Sequence, residues 1–545
     1  MSGAERSQEP ACPLFPRWVL VLSAVVVLST IVPHAYQAAA VPPGEHFTGI
    51  VEAFDDQNLY LSLVEQVRRG QVLVHDYHTA ESAPPYLPSL PWLLMGLVAR
   101  ALPGPTIAIY HAVRLLWGFL LLAAIWALAR EFSDDARVRT FAFLIAALGS
   151  GLGALADAVN AIAGRVVIFS ADLMPELWAY HSLFVAHFPF VTALLALVAL
   201  ILLRAYRRPS GWLSLAAFAT MLVLTLAHPY DLAVLGPLLV GHAVFCALTR
   251  AATPRALSAN LWALAGALPP AAFLWWQTQT NATMAAWSEQ NVLRSPPPHV
   301  YLLGFGLVLP LAIVGRVVLS RLRKETAGDW LVIFWPLVTA VAVYAWPLVP
   351  FERRCAEGVF LPLSLLAGLA VGEWLMPALR RRLPAWDDRR LAAFAMLLLG
   401  IAVLPTNAKL LVDLARTGNA RIPQAWVEGF AWIERNTPAD ARFFTSHRTG
   451  IFLARYTLRH VYLGHQHLTL DAARKLASAR RALAATTPAH ERLAILRASG
   501  CGWVAANARQ AEALRQLPGL EPVRDWGSLA LFRIPDSAPP PTLVR

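Results

Sequence analysis

The chain is short of charge. Asp, Glu, Lys and Arg make up 15% of its 545 residues, against 57% hydrophobic, where a soluble domain would carry roughly 25% charged residues. That shortage excludes a chain that is water-soluble throughout. Cysteine is also scarce. Cys12, Cys246, Cys355 and Cys501 are the only four, and without C-x-x-C spacing they give no sign of a cysteine-ligated metal. A Cys355–Cys501 disulfide is the one pairing that the arrangement of loops derived below leaves open, because only these two fall on the same, outer side.

What is present instead is a series of long apolar windows. A helix needs roughly 20 mostly apolar residues to cross a hydrocarbon layer of ~30 Å. Eleven windows qualify, near 18–37, 106–129, 139–157, 187–203, 211–227, 231–249, 259–277, 299–319, 329–349, 357–377 and 389–407. The first exceeds the 7–15 residue apolar core of a cleavable signal and reads as a retained anchor. The stretch 87–102 is too short and too interrupted by Pro88, Pro91 and Arg100, and reads as a helix lying along the interface.

The net charge of +12 is not a nucleic-acid footprint. The basic residues collect in alternate connections: Arg130, Arg137 and Arg139; Arg204, Arg207 and Arg208; Arg250 and Arg255; Arg316, Arg321, Arg323 and Lys324; Arg380, Arg381, Arg382, Arg389 and Arg390. By the positive-inside rule these connections are cytoplasmic, as is the N-terminus. The other connections and the C-terminal segment are then extracytoplasmic, in a multi-pass protein of the plasma (inner) membrane.

The first outer connection, 40–105, opens a helical pattern with FDDQNLY, 54–60, followed by Leu59, Leu63 and Val67 at helical spacing. Asp55 as N-cap, Asp56 in the first turn and a Phe54/Leu59 staple would explain the acidic pair as a helix start. The second carboxylate is less fully explained, since its interaction with the helix dipole gains only ~0.3–1 kcal/mol. Other outer connections carry more chemistry. Asp172, Glu176, His181 and His187 lie in 158–187, and His228 and Asp231 flank the tight turn HPYD. Arg353 and Arg354 stand between Glu352 and Glu357 in PFERRCAEG. Outer arginines run against the topology rule. They serve either as partners of those glutamates or as a phosphate clamp.

After residue 408 the pattern changes to short alternating elements. Segments 424–436 and 471–486 read as helices, 441–447 and 501–507 as strands, and 521–535 as a hairpin. This gives a small α/β domain, 409–545, with a disordered tail SAPPPTLVR. It contains no P-loop, no G-x-G-x-x-G and no G-x-S-x-G. His447, His465 and His467 have no carboxylate at ligand spacing and read as surface or packing residues.

One span, a large outer loop opening on an acidic pair, about ten further spans (domain 1–408) and an outer α/β domain together resemble the GT-C glycosyltransferases. This superfamily includes the protein O-mannosyltransferases, the lipid A aminoarabinose transferase and the rhizobial lipopolysaccharide glycosyltransferases. The fold expected is therefore a polytopic helical membrane protein of about eleven spans, with interfacial helices and a small C-terminal α/β unit. The resemblance implies transfer of a sugar from a polyprenyl-phosphate donor to an envelope glycan, lipid or protein. The transfer would invert the sugar's configuration, with Asp55 or Asp56 as base. Adjacent like charges are expected to raise one of their pKa values. Arg353 and Arg354 are the expected donor-phosphate ligands. Tyr60, His187, His228 and Asp231 are candidates for substrate contacts. A divalent cation bridging the aspartates and the phosphate is compatible with the family, some members of which use one. A transporter or flippase of lipid-linked saccharides would instead place charges in mid-span and show internal repeats, which this sequence does not. A non-catalytic envelope scaffold is the remaining alternative.

Overall fold

In the computed structural model the described residues are 15–535; Cys12 and the tail expected to be disordered lie outside them. Among the described residues eight helices are long and apolar enough to cross a membrane: Arg17–Ala39, Thr106–Phe132, Ala136–Ala163, His187–Arg207, Pro229–Leu248, Pro254–Thr280, Glu352–Arg382 and Asp388–Arg416. Two further windows form shorter apolar helices, Gly211–Ala227 and Ala327–Ala342. The window 299–319, expected as one span, is instead a pair, Pro298–Phe305 and Val308–Leu322, bent by 78°. Gly306 at the break has φ +50°, a conformation that suits glycine. Pro310 follows in the first turn of the second helix, where its missing N–H costs nothing.

The connections gather at two ends of the bundle. Arg204 and Arg207 pair with Glu131 at one end. At the other end His181 meets Glu52, Arg353 meets Glu176 and His228 approaches Glu357. Gln290 there hydrogen-bonds the C-terminal unit at His467 and Thr469.

The helix Phe54–Arg68 begins two residues earlier than a cap at Asp55 requires. Ala53 precedes it in left-handed backbone, φ 44°, with no side-chain cap. Asp55 and Asp56 therefore both lie in the first turn, and neither is the N-cap. Nor does this helix lie on a surface by a narrow stripe: Gln57, Asn58, Ser62 and Gln66 are buried with the leucines. Tyr110 donates to Gln57, Arg455 donates to Asn58, and Gln66 bonds both backbone groups of His75. Each buried amide is thus compensated, as burial requires. The stretch 87–102 forms a twelve-residue helix, Leu90–Ala101, packed on the Phe54 helix at Gly96. A Cβ at that position would come within 2.4 Å of Val67.

The C-terminal unit is a five-stranded sheet of order β4-β3-β5-β7-β6, with β3 Arg442–Thr445, β4 His460–Val461, β5 Trp503–Asn507, β6 Glu521–Asp525 and β7 Leu529–Arg533. β3 runs parallel to β4 and β5, while β6 and β7 form the antiparallel hairpin that the sequence suggests. Successive residues face opposite layers, as strand geometry demands: Phe443, Ala505 and Leu531 to one side, Phe444, Val504 and Phe532 to the other. Two more short strands, β1 Glu45–Phe47 and β2 Arg421–Pro423, pair antiparallel and tie the first long connection to this unit. Cys246, Cys355 and Cys501 are all buried free thiols, so the Cys355–Cys501 disulfide is not formed.

Candidate functional site

Five of the residues singled out from sequence, Asp56, Tyr60, His187, His228 and Arg354, wall one cavity of about 350 Å³. The cavity opens where the Phe54 helix, the HPYD turn and the segment after Phe351 meet the C-terminal unit. Part of its wall is apolar, among it Leu226, Ala271, Leu274 and Trp275 of two bundle helices.

Successive residues of an α-helix point about 100° apart, and this separates the two aspartates. Asp56 Oδ1 lies 2.9 Å from His465 Nε2, whereas Asp55 Oδ2 faces His447 Nε2 at 3.5 Å. Burial pushes the Asp56 carboxyl up. The His465 hydrogen bond and charge, helped by Arg354 and His187, outweigh it and bring the pKa down to about 2. The rise expected from paired like charges does not occur at Asp56, because its carboxylate faces His465 and Arg354 rather than its neighbour.

His465 is held for this contact. Its Nδ1 accepts the His467 backbone N–H at 3.3 Å, leaving Nε2 to carry the proton and donate to Asp56. Its own backbone N–H donates to His78 Nδ1 at 3.1 Å. The sequence reading set His447, His465 and His467 aside for want of a nearby carboxylate. The carboxylate partners of His447 and His465 lie in the first connection, 409 residues away in the case of Asp56 and His465, while His467 meets the Gln290 carbonyl. The clustered H-Q-H after a strand was the only local signal.

The two arginines divide in the same way as the two aspartates. Arg353 Nη2 is 2.9 Å from the buried Glu176, a partner outside the neighbouring pair expected, and it does not line the cavity. Glu352 receives the Trp346 and Ser295 N–H groups and Arg294. Arg354 lies over the Tyr230 ring at 4.9 Å. It pairs with no carboxylate among the described residues, and its buried Nε has no hydrogen-bond partner. A guanidinium in this position is a ready anion site. Tyr60 stacks on Trp92, ring centroids 4.0 Å apart, with His187 edge-on at 5.4 Å.

Asp231 stands behind the wall, 3.1 Å from His228 Nδ1, while Glu357 approaches Nε2 at 3.6 Å. His228, Asp231 and Glu357 can bring ligand atoms within 4.8 Å of one another. The buried His228 Nε2 and Glu357 Oε2 lack hydrogen-bond partners, so the donor set suits a divalent cation. Neither Asp55 nor Asp56 belongs to it. Asp172 and His181 are supports: Asp172 accepts N–H groups of Gly151 and Gly153, and His181 bonds Glu52.

No family model and no curated protein sequence matches the chain. Solved structures do. The oligosaccharyltransferase of Archaeoglobus fulgidus, tethered to an acceptor peptide, superposes with a TM-score of 0.58 at 13% identity, over 94% of this chain and 73% of that one. ArnT from Cupriavidus metallidurans bound to undecaprenyl phosphate gives 0.53 at 14% identity, over 96% and 99%. The mycobacterial arabinofuranosyltransferase AftD gives 0.57 at 16%, over 96% and 40%. These proteins are GT-C membrane glycosyltransferases, and the likeness is one of fold.

Proposed function

Taking the fold shared with the GT-C glycosyltransferases as the premise, we propose that this chain moves a sugar from a polyprenyl-phosphate donor to an acceptor hydroxyl or amine on the extracytoplasmic face of the membrane. One observation carries the reading: an ionised carboxylate, Asp56, and a guanidinium without a carboxylate partner, Arg354, wall the same cavity. The neighbours add support, since ArnT was solved with undecaprenyl phosphate and the archaeal enzyme AglB with dolichol phosphate.

The apolar walls from the bundle helices suit the lipid chain, and Arg354 suits its phosphate. The acceptor oxygen attacks C1 of the sugar from the side opposite the phosphate. The C1–O bond to phosphate breaks, its electron pair goes to the phosphate oxygen beside Arg354, and the acceptor proton passes to Asp56. Inversion follows from the single displacement. His465 does not take the proton in this scheme, because its Nε2–H already serves Asp56. It is a positioning residue. Asp55, turned towards His447, and Arg353, engaged by Glu176, are supporting residues. A divalent cation, where one is used, would be held by His228, Asp231 and Glu357, and would add positive charge near the leaving phosphate.

The arginine pattern supports a cytoplasmic N-terminus and an extracytoplasmic C-terminal unit from about residue 409. The test is transfer from a polyprenyl-phosphate-linked sugar in membranes by the parent chain, Asp56→Asn and Asp55→Asn. Loss confined to Asp56→Asn supports the scheme. Full transfer by Asp56→Asn removes it.

A further inference from the structure

Beside the membrane-side cavity lies a second, larger one of about 1490 Å³, formed almost wholly by the C-terminal unit. His467 lines both cavities, and its Nδ1 meets the Gln290 carbonyl at 3.0 Å. The ring thus stands as a partition between the two cavities. The aspartates divide accordingly: Asp56 lines the first cavity, while His447, the partner of Asp55, lines the second.

The second cavity has a marked charge. Arg448, Arg480 and Arg509 line it, against one carboxylate, Glu512. Arg448 donates to the Arg421 carbonyl, and Arg480 and Arg509 pair with no carboxylate among the described residues. Three other arginines of the same unit do meet carboxylates: Arg474 with Asp471, Arg481 with Glu491, Arg515 with Asp525. Arg480 and Arg509 thus stay free to meet an anion from outside the chain. The helix beneath, Ala472–Leu483, presents Ala473, Leu476 and Ala479 to the cavity, small apolar side chains that leave room and suit the flat, less polar face of a sugar ring.

We propose that this cleft binds the acceptor and that the acceptor is an anionic saccharide chain, carrying carboxylate or phosphate groups that Arg480, Arg509 and Arg448 engage. The chain lies along the alanine-lined floor, and its reacting hydroxyl passes His467 to reach Asp56. Donor and acceptor then approach from opposite chambers, the lipid from the bundle and the glycan from the aqueous side. The proposal rests on the glycosyltransferase reading, and its test is a binding measurement that needs no turnover.

The probe is a fluorescent oligogalacturonate, with a maltooligosaccharide of similar length as the neutral control, titrated against the full-length protein in detergent. Saturable binding of the anionic probe alone is expected, weakening as salt is raised. The double change Arg480→Ala with Arg509→Ala should raise its Kd about tenfold, and Arg509→Glu should do the same, both at unchanged Tm because these side chains are exposed. No binding by the parent, equal binding of the neutral probe, or an unchanged Kd in both variants would overturn the proposal. The two readings fail separately. A cleft that binds nothing leaves transfer and its loss in Asp56→Asn intact, whereas a chain that transfers nothing can still bind the probe.

Discussion

Replacing His465 tests the centre of the scheme, because it alters the protonation of Asp56 without touching the carboxylate. In the parent, the hydrogen bond and charge of His465 are the largest influences opposing burial, and they hold Asp56 near pH 2, below the ordinary 3.8. A carboxyl with a depressed pKa keeps its base form above that value and loses it only as pH falls through it. The parent's transfer rate should therefore stay flat through the mildly acidic range. In His465→Ala the largest opposing influence is gone while Arg354 and His187 remain, so the carboxyl should titrate higher than in the parent and the acid limb of kcat/KM should move up with it. The assay is transfer from a polyprenyl-phosphate-linked sugar in membranes, as a function of pH. As pH falls the variant should lose activity before the parent does, and at neutral pH the remaining deficit should be about tenfold, reflecting lost orientation. His465→Gln, whose amide N–H can still donate to Asp56, should restore part of both. If His465→Ala falls uniformly at every pH with an unchanged limb, His465 does not set the ionisation of Asp56. If His465→Gln is as inactive as His465→Ala while folding normally, the imidazole itself is needed, and the assignment of the base passes from Asp56 to His465.

The two arginines should separate in experiment. Arg354→Gln should lower transfer about a hundredfold by removing charge opposite the leaving phosphate, with Tm nearly unchanged. Arg353→Gln should mainly lower Tm, since it leaves Glu176 buried and unpaired; breaking a fully buried pair costs ~3–5 kcal/mol, and about 1–3 kcal/mol is expected because Arg353 is partly exposed to solvent. Gly96→Val should loosen the Leu90–Ala101 helix from Val67, at a cost of about 1–3 kcal/mol, read as a lower Tm and a weaker donor affinity. Metal analysis of the purified protein tests the His228 cluster: a stoichiometric divalent ion retained by the parent and lost in both His228→Ala and Glu357→Gln is the expected pattern, and occupancy unchanged in both removes the site.

The helices were legible because a bilayer imposes one requirement, length without charge, that each window meets or fails on its own residues. The bend at Gly306 was not, since glycine and proline inside an apolar run are tolerated as often as they break it. The acidic pair in FDDQNLY drew attention because capping accounts well for one of its carboxylates and less fully for the second. What could not be read was how the pair divides. That depends on the rotation of the Phe54 helix, which is fixed by buried amides, Gln57 to Tyr110 and Asn58 to Arg455, whose partners lie on elements far away in the chain. A helix turned by one residue would present Asp55 to the apolar cavity and leave Asp56 outside. The same holds for the histidines. A loop residue such as His465 acquires chemistry only from what β1 and β2 bring beside it when they join the first connection to the C-terminal unit. The two strands are three residues each and carry no strong pattern, yet they belong to the framework that sets Asp56 against His465. This short pairing thus helps to decide which aspartate faces the cavity.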